Sequence, residues 1–313
     1  MFESISIKNF RGFGNLALNG LKRVNLIVGK NNAGKTSLLE AVASLADPRV
    51  LGRLPILFRA THGGYPRRFY RWLIRDDDGV TLAEVAGHGW GTNYTLLFQH
   101  TPNPEFDGPY QKVLEQNGLF GWWGPEKPLR SQVISVRAPD SDQMVKTFAQ
   151  AVRQRDGEHQ IESLLRTVDP RVSKARVDVA EDGNVIVVDL GLSEMIPLAQ
   201  AGEGMYRLVW IFADLLGEHP QLCFIDEVEN GIHHSVLAQV WSGIAEVAQR
   251  LDLQVFATTH SDECLRAAHE AFASRPAYDL SVVQLFRVED GVQGRVLDRK
   301  HIEAAIAGDI DLR

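Results

Sequence analysis

The eight residues Gly29-Lys30-Asn31-Asn32-Ala33-Gly34-Lys35-Thr36 fit the spacing G-x-x-x-x-G-K-[ST] at every fixed position. A loop of this kind turns its backbone N–H groups inward around an anion, and glycine permits the turn. Lys35 then reaches the β- and γ-phosphates of a nucleotide, and the Thr36 hydroxyl is placed to ligate Mg²⁺. The flanks agree with that reading. Residues 24–28 are a short apolar run leading into Gly29, as in a buried strand. Residues 36–46 place Leu38, Leu39, Val42 and Leu45 on one side of a helix. Strand, glycine loop and helix form the frame in which a phosphate loop works. The helix start directs its partial positive charge at the same anion. A chance match in a surface loop would not account for these flanks.

Two later strand ends carry polar groups that suit the same chemistry. Leu222-Cys223-Phe224-Ile225 is followed by Asp226 and Glu227. In an open α/β sheet the carboxyl ends of the strands are where ligands bind. Asp226 is expected to hold Mg²⁺, directly or through water, and Glu227 to orient or deprotonate the attacking water. Residues 254–258 form a third apolar run that ends in Thr259-His260-Ser261. A histidine there can bond a γ-phosphate or the water beside it. A lone histidine is more often structural, but its place one helix and one strand after Asp226-Glu227 favours the site. The expected catalytic residues are Glu227, His260 and Lys35, with Thr36 and Asp226 at the metal.

From residue 204 onward the pattern alternates helix (204–216, 235–250, 264–274) and strand (222–225, 254–258, 281–288), with a last helix near 301–307. This predicts a mainly parallel sheet flanked by helices. Residues 2–7 alternate like a half-buried strand. Residues 48–130 are rich in Gly, Pro and aromatics and read as an antiparallel β part. Residues 72–74 and 80–85 are expected to flank a turn at Arg75-Asp76-Asp77-Asp78-Gly79, and 94–98 to be a strand. A Pro-rich loop over 101–109 and a short helix near 110–116 would follow. Gly87-His88-Gly89-Trp90-Gly91 precedes no helix, so it reads as a hairpin turn. Residues 143–166 read as helical with a break at Asp156-Gly157, and 176–179 with 185–190 as a hairpin around Asp182-Gly183-Asn184.

With 313 residues, 44% hydrophobic and 23% charged, the chain is an ordinary globular protein and not a disordered one. Its longest apolar stretch, near 208–216, is interrupted by Asp214 and is too short to cross a bilayer. The opening residues do not read as a signal peptide. Cys223 and Cys264 lack CxxC spacing, so a reducing cytoplasm is the expected setting, with no disulfide framework, His/Cys metal site or membrane role. His233-His234 are adjacent and are expected to face different ways on a helix. Trp122-Trp123 reads either as an exposed patch or, more simply, as a buried loop anchor.

Taken together, these residues resemble the ABC-type ATPase heads of the SMC/RecF/OLD group, and within it the small bacterial AAA-family ATP-binding proteins that accompany anti-phage effectors. Ile5-Ser6-Ile7-Lys8-Asn9-Phe10-Arg11-Gly12-Phe13 is similar to the group's first strand and N-F-R-x-F turn. Gly29 to Ser37 is similar to its Walker A motif. Residues 226–234 resemble Walker B with its D-loop, and 258–261 the switch-histidine segment. The likeness covers roughly 1–46 and 190–290. It implies a P-loop α/β fold of ABC-head type with an antiparallel β-subdomain. It also implies ATP and Mg²⁺, with Gly29, Asn31, Asn32, Ala33, Gly34, Lys35, Thr36, Ser37 and Arg11 on the nucleotide. A signature segment that binds the nucleotide of the opposite subunit is best matched by residues 200–207, through Gly202 and Gly204. Gly202 stands where the common Ser-x-Gly pattern has serine, so a hydroxyl contact to the γ-phosphate is lost. Gln132 and Gln143 are the nearest Q-loop candidates. No sustained heptads for coiled-coil arms occur over 47–200.

The expected organisation is one ATPase head: 1–46 with the first strands and phosphate loop, 47–200 a variable insertion, 201–313 the signature, Walker B, D-loop and switch-histidine lobe. The resemblance implies a homodimer that closes around ATP and couples nucleotide state to a nuclease or toxin effector, or to nucleic acid, in defence or DNA maintenance. The alternative is a nucleotide-gated sensor or scaffold with little turnover. A small-molecule kinase is disfavoured, because a water-activating base such as Glu227 would waste ATP. The net charge of −7 argues against nucleic acid on average, yet residues 49–75 hold seven arginines (Arg49, Arg53, Arg59, Arg67, Arg68, Arg71, Arg75) and no acid. That segment carries +7 and leaves −14 on the remainder. It is either a DNA or RNA contact with interleaved aromatics or a set of partners for the surplus acids.

Overall fold

A computed structural model describes residues 1–59, 73–75, 82–99, 119–180, 183–217, 219–289 and 291–312. At its centre is a six-stranded sheet. In spatial order it runs β14 (Gly291–Leu297), β13 (Leu280–Val288), β3 (Val24–Val28), β12 (Gln254–Thr258), β11 (Leu222–Ile225) and β7 (Ser131–Ile134). All neighbours are parallel except β13 and β14. Strands β3, β11 and β12 are buried at every residue, which is why they read as unbroken apolar runs. Successive side chains leave a strand on opposite faces, and the two cores follow that alternation. Leu26, Cys223, Ile225, Val255 and Val282 join the core formed with α5 (Glu203–Gly217), α6 (Leu237–Arg250) and α7 (Asp262–Ala273). Ile27, Leu222, Phe224, Phe256 and Val283 join the opposite core, with α1 (Lys35–Ala46) and a second sheet.

That second sheet is antiparallel, in the order β2 (Phe13–Asn19), β1 (Phe2–Phe10), β4 (Leu82–Gly89), β5 (Thr92–Gln99) and β6 (Leu119–Trp123). The expected hairpin forms at Trp90-Gly91, both with positive φ, between β4 and β5. The turn expected at Arg75–Gly79 lies, beyond Arg75, outside the described residues. Ile74 bridges Phe10, and β4 pairs with β1 and β5. Trp122 lies in β6 rather than in a loop, buried with its indole N–H donating to Leu45 O at 2.8 Å, while Trp123 is half exposed. The loop and helix expected over 101–109 and 110–116 lie outside the described residues.

The 47–200 stretch supplies more than an appendage, since β4 to β6 extend the N-terminal sheet and β7 forms an edge of the central one. Helices α3 (Ser141–Val152) and α4 (Gly157–Val168) break at Asp156, which takes φ +63°. Strands β8 (Lys174–Ala180) and β9 (Gly183–Asp189) form the expected hairpin. Among the described residues, no helix is long and apolar enough to cross a membrane.

Candidate functional site

The carboxyl ends of β3, β11 and β12 meet over the start of α1. The loop between β3 and α1 passes so close to β13 that a Cβ on Gly29, at φ +151°, would come within 2.5 Å of Leu285 O. Only glycine fits there. A cleft of about 890 Å³ opens beside this loop, lined by Asn31, Asn32, Gly34, Lys35, Thr36 and Ser37, and across from them by Glu227 and His260. Gly29 and Ala33 shape the loop from behind, Ala33 being buried.

Lys35 is buried. Its Nζ donates to Gly29 O at 2.7 Å and Lys30 O at 3.2 Å, and lies 3.1 Å from His260 Nδ1. Burial lowers its pKa, and the carboxylates of Asp226, Glu227 and Glu229 partly restore it. With the ammonium donating to Nδ1, the imidazole proton resides on Nε2. Nε2 lies 3.4 Å from Glu227 Oε1. His260 therefore joins the phosphate lysine to the candidate base.

Thr36 Oγ1 lies 3.3 and 3.4 Å from the two Asp226 carboxylate oxygens. Hard oxygens at adjacent corners of a Mg²⁺ octahedron sit about 3 Å apart for bonds near 2.1 Å, so this pair fits the ion. Asp226 is itself held, because Thr258 Oγ1 donates to its Oδ1 at 2.6 Å. The same hydroxyl accepts the Glu227 N–H at 2.8 Å. Thr258 thus sets both carboxylate residues. Glu227 adopts φ +49°, a left-handed conformation uncommon for a non-glycine residue.

Arg207, in α5, reaches the main chain of the same two residues. It is buried, and its two terminal nitrogens donate to Ser135 O at 2.6 Å, Asp226 O at 2.8 Å and Glu227 O at 3.2 Å. Its guanidinium lies 4.8 Å from the Trp210 ring, and burial pulls its pKa down to about 10. Thr258 falls in the 258–261 segment and Arg207 in the 200–207 segment, but neither was expected to hold Asp226 and Glu227.

Three expectations, those for Arg11, the two glutamines and the histidine pair, resolve differently. Arg11 does not line the cleft. Its guanidinium engages Glu40 at 2.6 Å, and Arg59 reaches the same fully buried carboxylate at 2.9 Å. Arg59 also donates to Ser37 Oγ at 3.2 Å and does line the cleft, as do Gly12, Arg287 and Val292. Gly202 and Gly204 lie at the start of α5, outside the cleft of their own chain. A Cβ on Gly204 would come within 2.9 Å of Gly231 O, so its backbone abuts the loop after Glu227. Gln132 lies in β7 opposite Cys223, and Gln143 in α3 donates to Thr147 Oγ1, so neither candidate glutamine reaches the cleft. His233 and His234 precede α6 in a 3₁₀ turn and do not diverge, their ring centroids being 4.1 Å apart.

Comparison with known proteins agrees with the geometry. Residues 1–53 match a family described as an AAA ATPase domain, and residues 123–266 one described as "AAA domain, putative AbiEii toxin, Type IV TA system". An ATP/GTP phosphatase of Helicobacter pylori is 23% identical over 84% of this chain and 86% of its own length. RecF of Listeria monocytogenes is 52% identical over 44 residues, 14% of this chain and 12% of that protein. Among solved structures, an Smc head bound to the C-winged helix domain of ScpA superposes with TM-score 0.63 at 11% identity, covering 98% of this chain and 99% of that one. The Pyrococcus furiosus Smc head bound to the C-terminal domain of ScpA gives 0.59 at 10% identity, covering 99% of each chain.

Proposed function

We propose that this chain is an ATPase with an SMC/RecF-like ABC head that binds ATP and Mg²⁺ between two copies of itself, each copy completing the other's site. The observation that carries this reading is the division of the expected groups. Lys35, Thr36, Glu227 and His260 share one cleft, with Asp226 against Thr36, whereas Gly202 and Gly204 lie outside it on the same chain. A second copy is the natural source of the missing face, giving an isologous dimer with two composite sites.

In this mechanism Lys35 exchanges Gly29 O for the β- and γ-phosphate oxygens. Backbone N–H groups of the loop and the α1 start bind the same phosphates. Thr36 and Asp226 would hold Mg²⁺, which when bound neutralises charge on the transferring phosphoryl group. Glu227 orients the attacking water and accepts its proton, and His260 fixes the Glu227 carboxylate through Nε2. ATP favours the closed dimer because only that state contacts both of its faces, and hydrolysis releases it.

Lys35→Ala should abolish nucleotide binding, while Glu227→Gln should retain it and lose turnover. Unchanged ATP turnover in Glu227→Gln would sink the role given to that carboxylate. A second reading, a nucleotide-gated scaffold that turns over slowly and holds an effector in bacterial defence, draws on glycine at position 202 and on the toxin named in the matched family's description. Steady-state hydrolysis with and without DNA separates the two. The nucleic-acid role of residues 49–75 has less support. Arg49 pairs with Asp47 at 2.8 Å and Arg59 with Glu40, so at least two of the seven arginines serve their own chain. Arg67, Arg68 and Arg71 lie outside the described residues. Salt-sensitive DNA binding that vanishes when those three are neutralised would restore that role.

A further inference from the structure

Glu229 lies two residues beyond the candidate base and has no assigned part in the chemistry above. Its Oε1 accepts the backbone N–H of His260 at 2.7 Å. Its Oε2 is buried with no hydrogen-bond partner among the described residues. Leaving half a carboxylate unsatisfied out of water is costly, so the fold holds this group where stability alone would not place it.

The loop carrying Glu229 is stiff. Asn230 N donates to Glu227 O at 3.0 Å and Ile232 N to Glu229 O at 2.9 Å, while Glu227 and Gly231 take φ of +49° and +73°. Gly231 also meets the start of α5, with the Glu203 side chain and the Gly204 backbone against it. One short loop therefore touches the candidate signature segment at one end and the His260 main chain at the other. The His260 ring, in turn, sits between Lys35 and Glu227.

We infer that Glu229 is a positioning residue: through its bond to the His260 N–H it sets the imidazole between Lys35 and Glu227, so that a displacement of the loop beside Gly204 is passed to the catalytic pair. This deepens the proposed function and rests on it for the meaning of turnover. The competing reading is electrostatic. A carboxylate just before α7 would favour that helix's N-terminus whatever its hydrogen bond. The two readings differ for glutamine, which keeps the accepting oxygen and loses the charge.

The test compares Glu229→Ala and Glu229→Gln with the wild-type full chain. ATP turnover is measured, binding is followed with a fluorescent ATP analogue, and the His260 ring is followed by ¹⁵N NMR, assigned by difference with His260→Gln. Circular dichroism checks that both variants fold. Glu229→Ala should lower kcat by roughly 10–100-fold, the usual cost of losing a group that orients a ligand, with analogue affinity unchanged. Its ring should change from one Nε2–H tautomer to a mixture. Glu229→Gln should restore both kcat and the single tautomer. Wild-type kcat and ring shifts in Glu229→Ala, or equal impairment in both variants, would overturn the inference. If the wild type itself fails to turn over ATP, the hydrolytic reading fails, and the ring shifts alone decide the role of Glu229.

Discussion

Thr258→Val exchanges one hydroxyl for a methyl group at a fully buried position and probes how the metal-side carboxylate is held. The hydroxyl accepts the Glu227 N–H at 2.8 Å and donates to Asp226 Oδ1 at 2.6 Å. Valine leaves the N–H without that partner, a penalty of about 1–3 kcal/mol, and strips the carboxylate of a charge-assisted bond that contributes about 1.5–3 kcal/mol. The added methyl returns at most about 1 kcal/mol. The net loss of folding stability should be about 2–5 kcal/mol. Asp226, released from Thr258, then holds Mg²⁺ less well, by roughly 10–100-fold, equivalent to about 1.4–2.7 kcal/mol. Urea unfolding without nucleotide reads the first quantity, and a Mg²⁺ titration of ATP turnover reads the second. Stability lost with an unchanged Mg²⁺ requirement would refute the reasoning, because Thr258 would then be a core residue with no bearing on the metal.

Arg207→Met keeps most of the apolar stem of the side chain and removes its donors to Ser135 O, Asp226 O and Glu227 O. Relief of the desolvation that holds its pKa near 10 offsets part of that loss. Stability should therefore fall by only about 1–3 kcal/mol, while turnover falls roughly tenfold or more because Glu227 loses its backbone anchor; a stability change without an activity change contradicts this. Gly204→Ala drives a methyl against Gly231 O and should destabilise by about 1–3 kcal/mol, measured by thermal unfolding, whereas Gly202→Ala meets nothing within 4 Å and suffers only from its φ of +117°. Lys35 must be protonated to meet phosphate, and burial lowers its pKa below the ordinary 10.5. Nucleotide affinity should be full below that depressed pKa and decline as pH rises through it, earlier than for an exposed lysine; calorimetric titration across alkaline pH checks the direction.

The sequence made the phosphate loop legible because its residues are contiguous and their spacing is set by the backbone geometry of a single loop. Asp226-Glu227 and His260 were legible for a related reason: each ends an apolar run, and parallel strands place such ends side by side. Thr258 and Arg207 were not. Their roles arise from contacts to Asp226 and Glu227 across 32 and 31 residues for Thr258 and 19 and 20 for Arg207, and no local pattern marks such pairings. Arg11 shows the converse failure. The motif around it suggested the nucleotide, but Glu40, fully buried in α1, draws both its guanidinium and that of Arg59. A buried carboxylate in the middle of an apolar helix face was the signal available for that pair. Strand β7 was also missed, since only four residues identify it and its place at the sheet edge follows from pairing with β11.

The central claim is that one chain holds half of each ATP site and a second copy supplies the rest. The most direct test is the mass of Glu227→Gln in solution with Mg²⁺-ATP and with Mg²⁺-ADP, measured by light scattering. The account predicts twice the 34.9 kDa of the chain with ATP and the single-chain mass with ADP. A protein that binds ATP yet remains at the single-chain mass would contradict it.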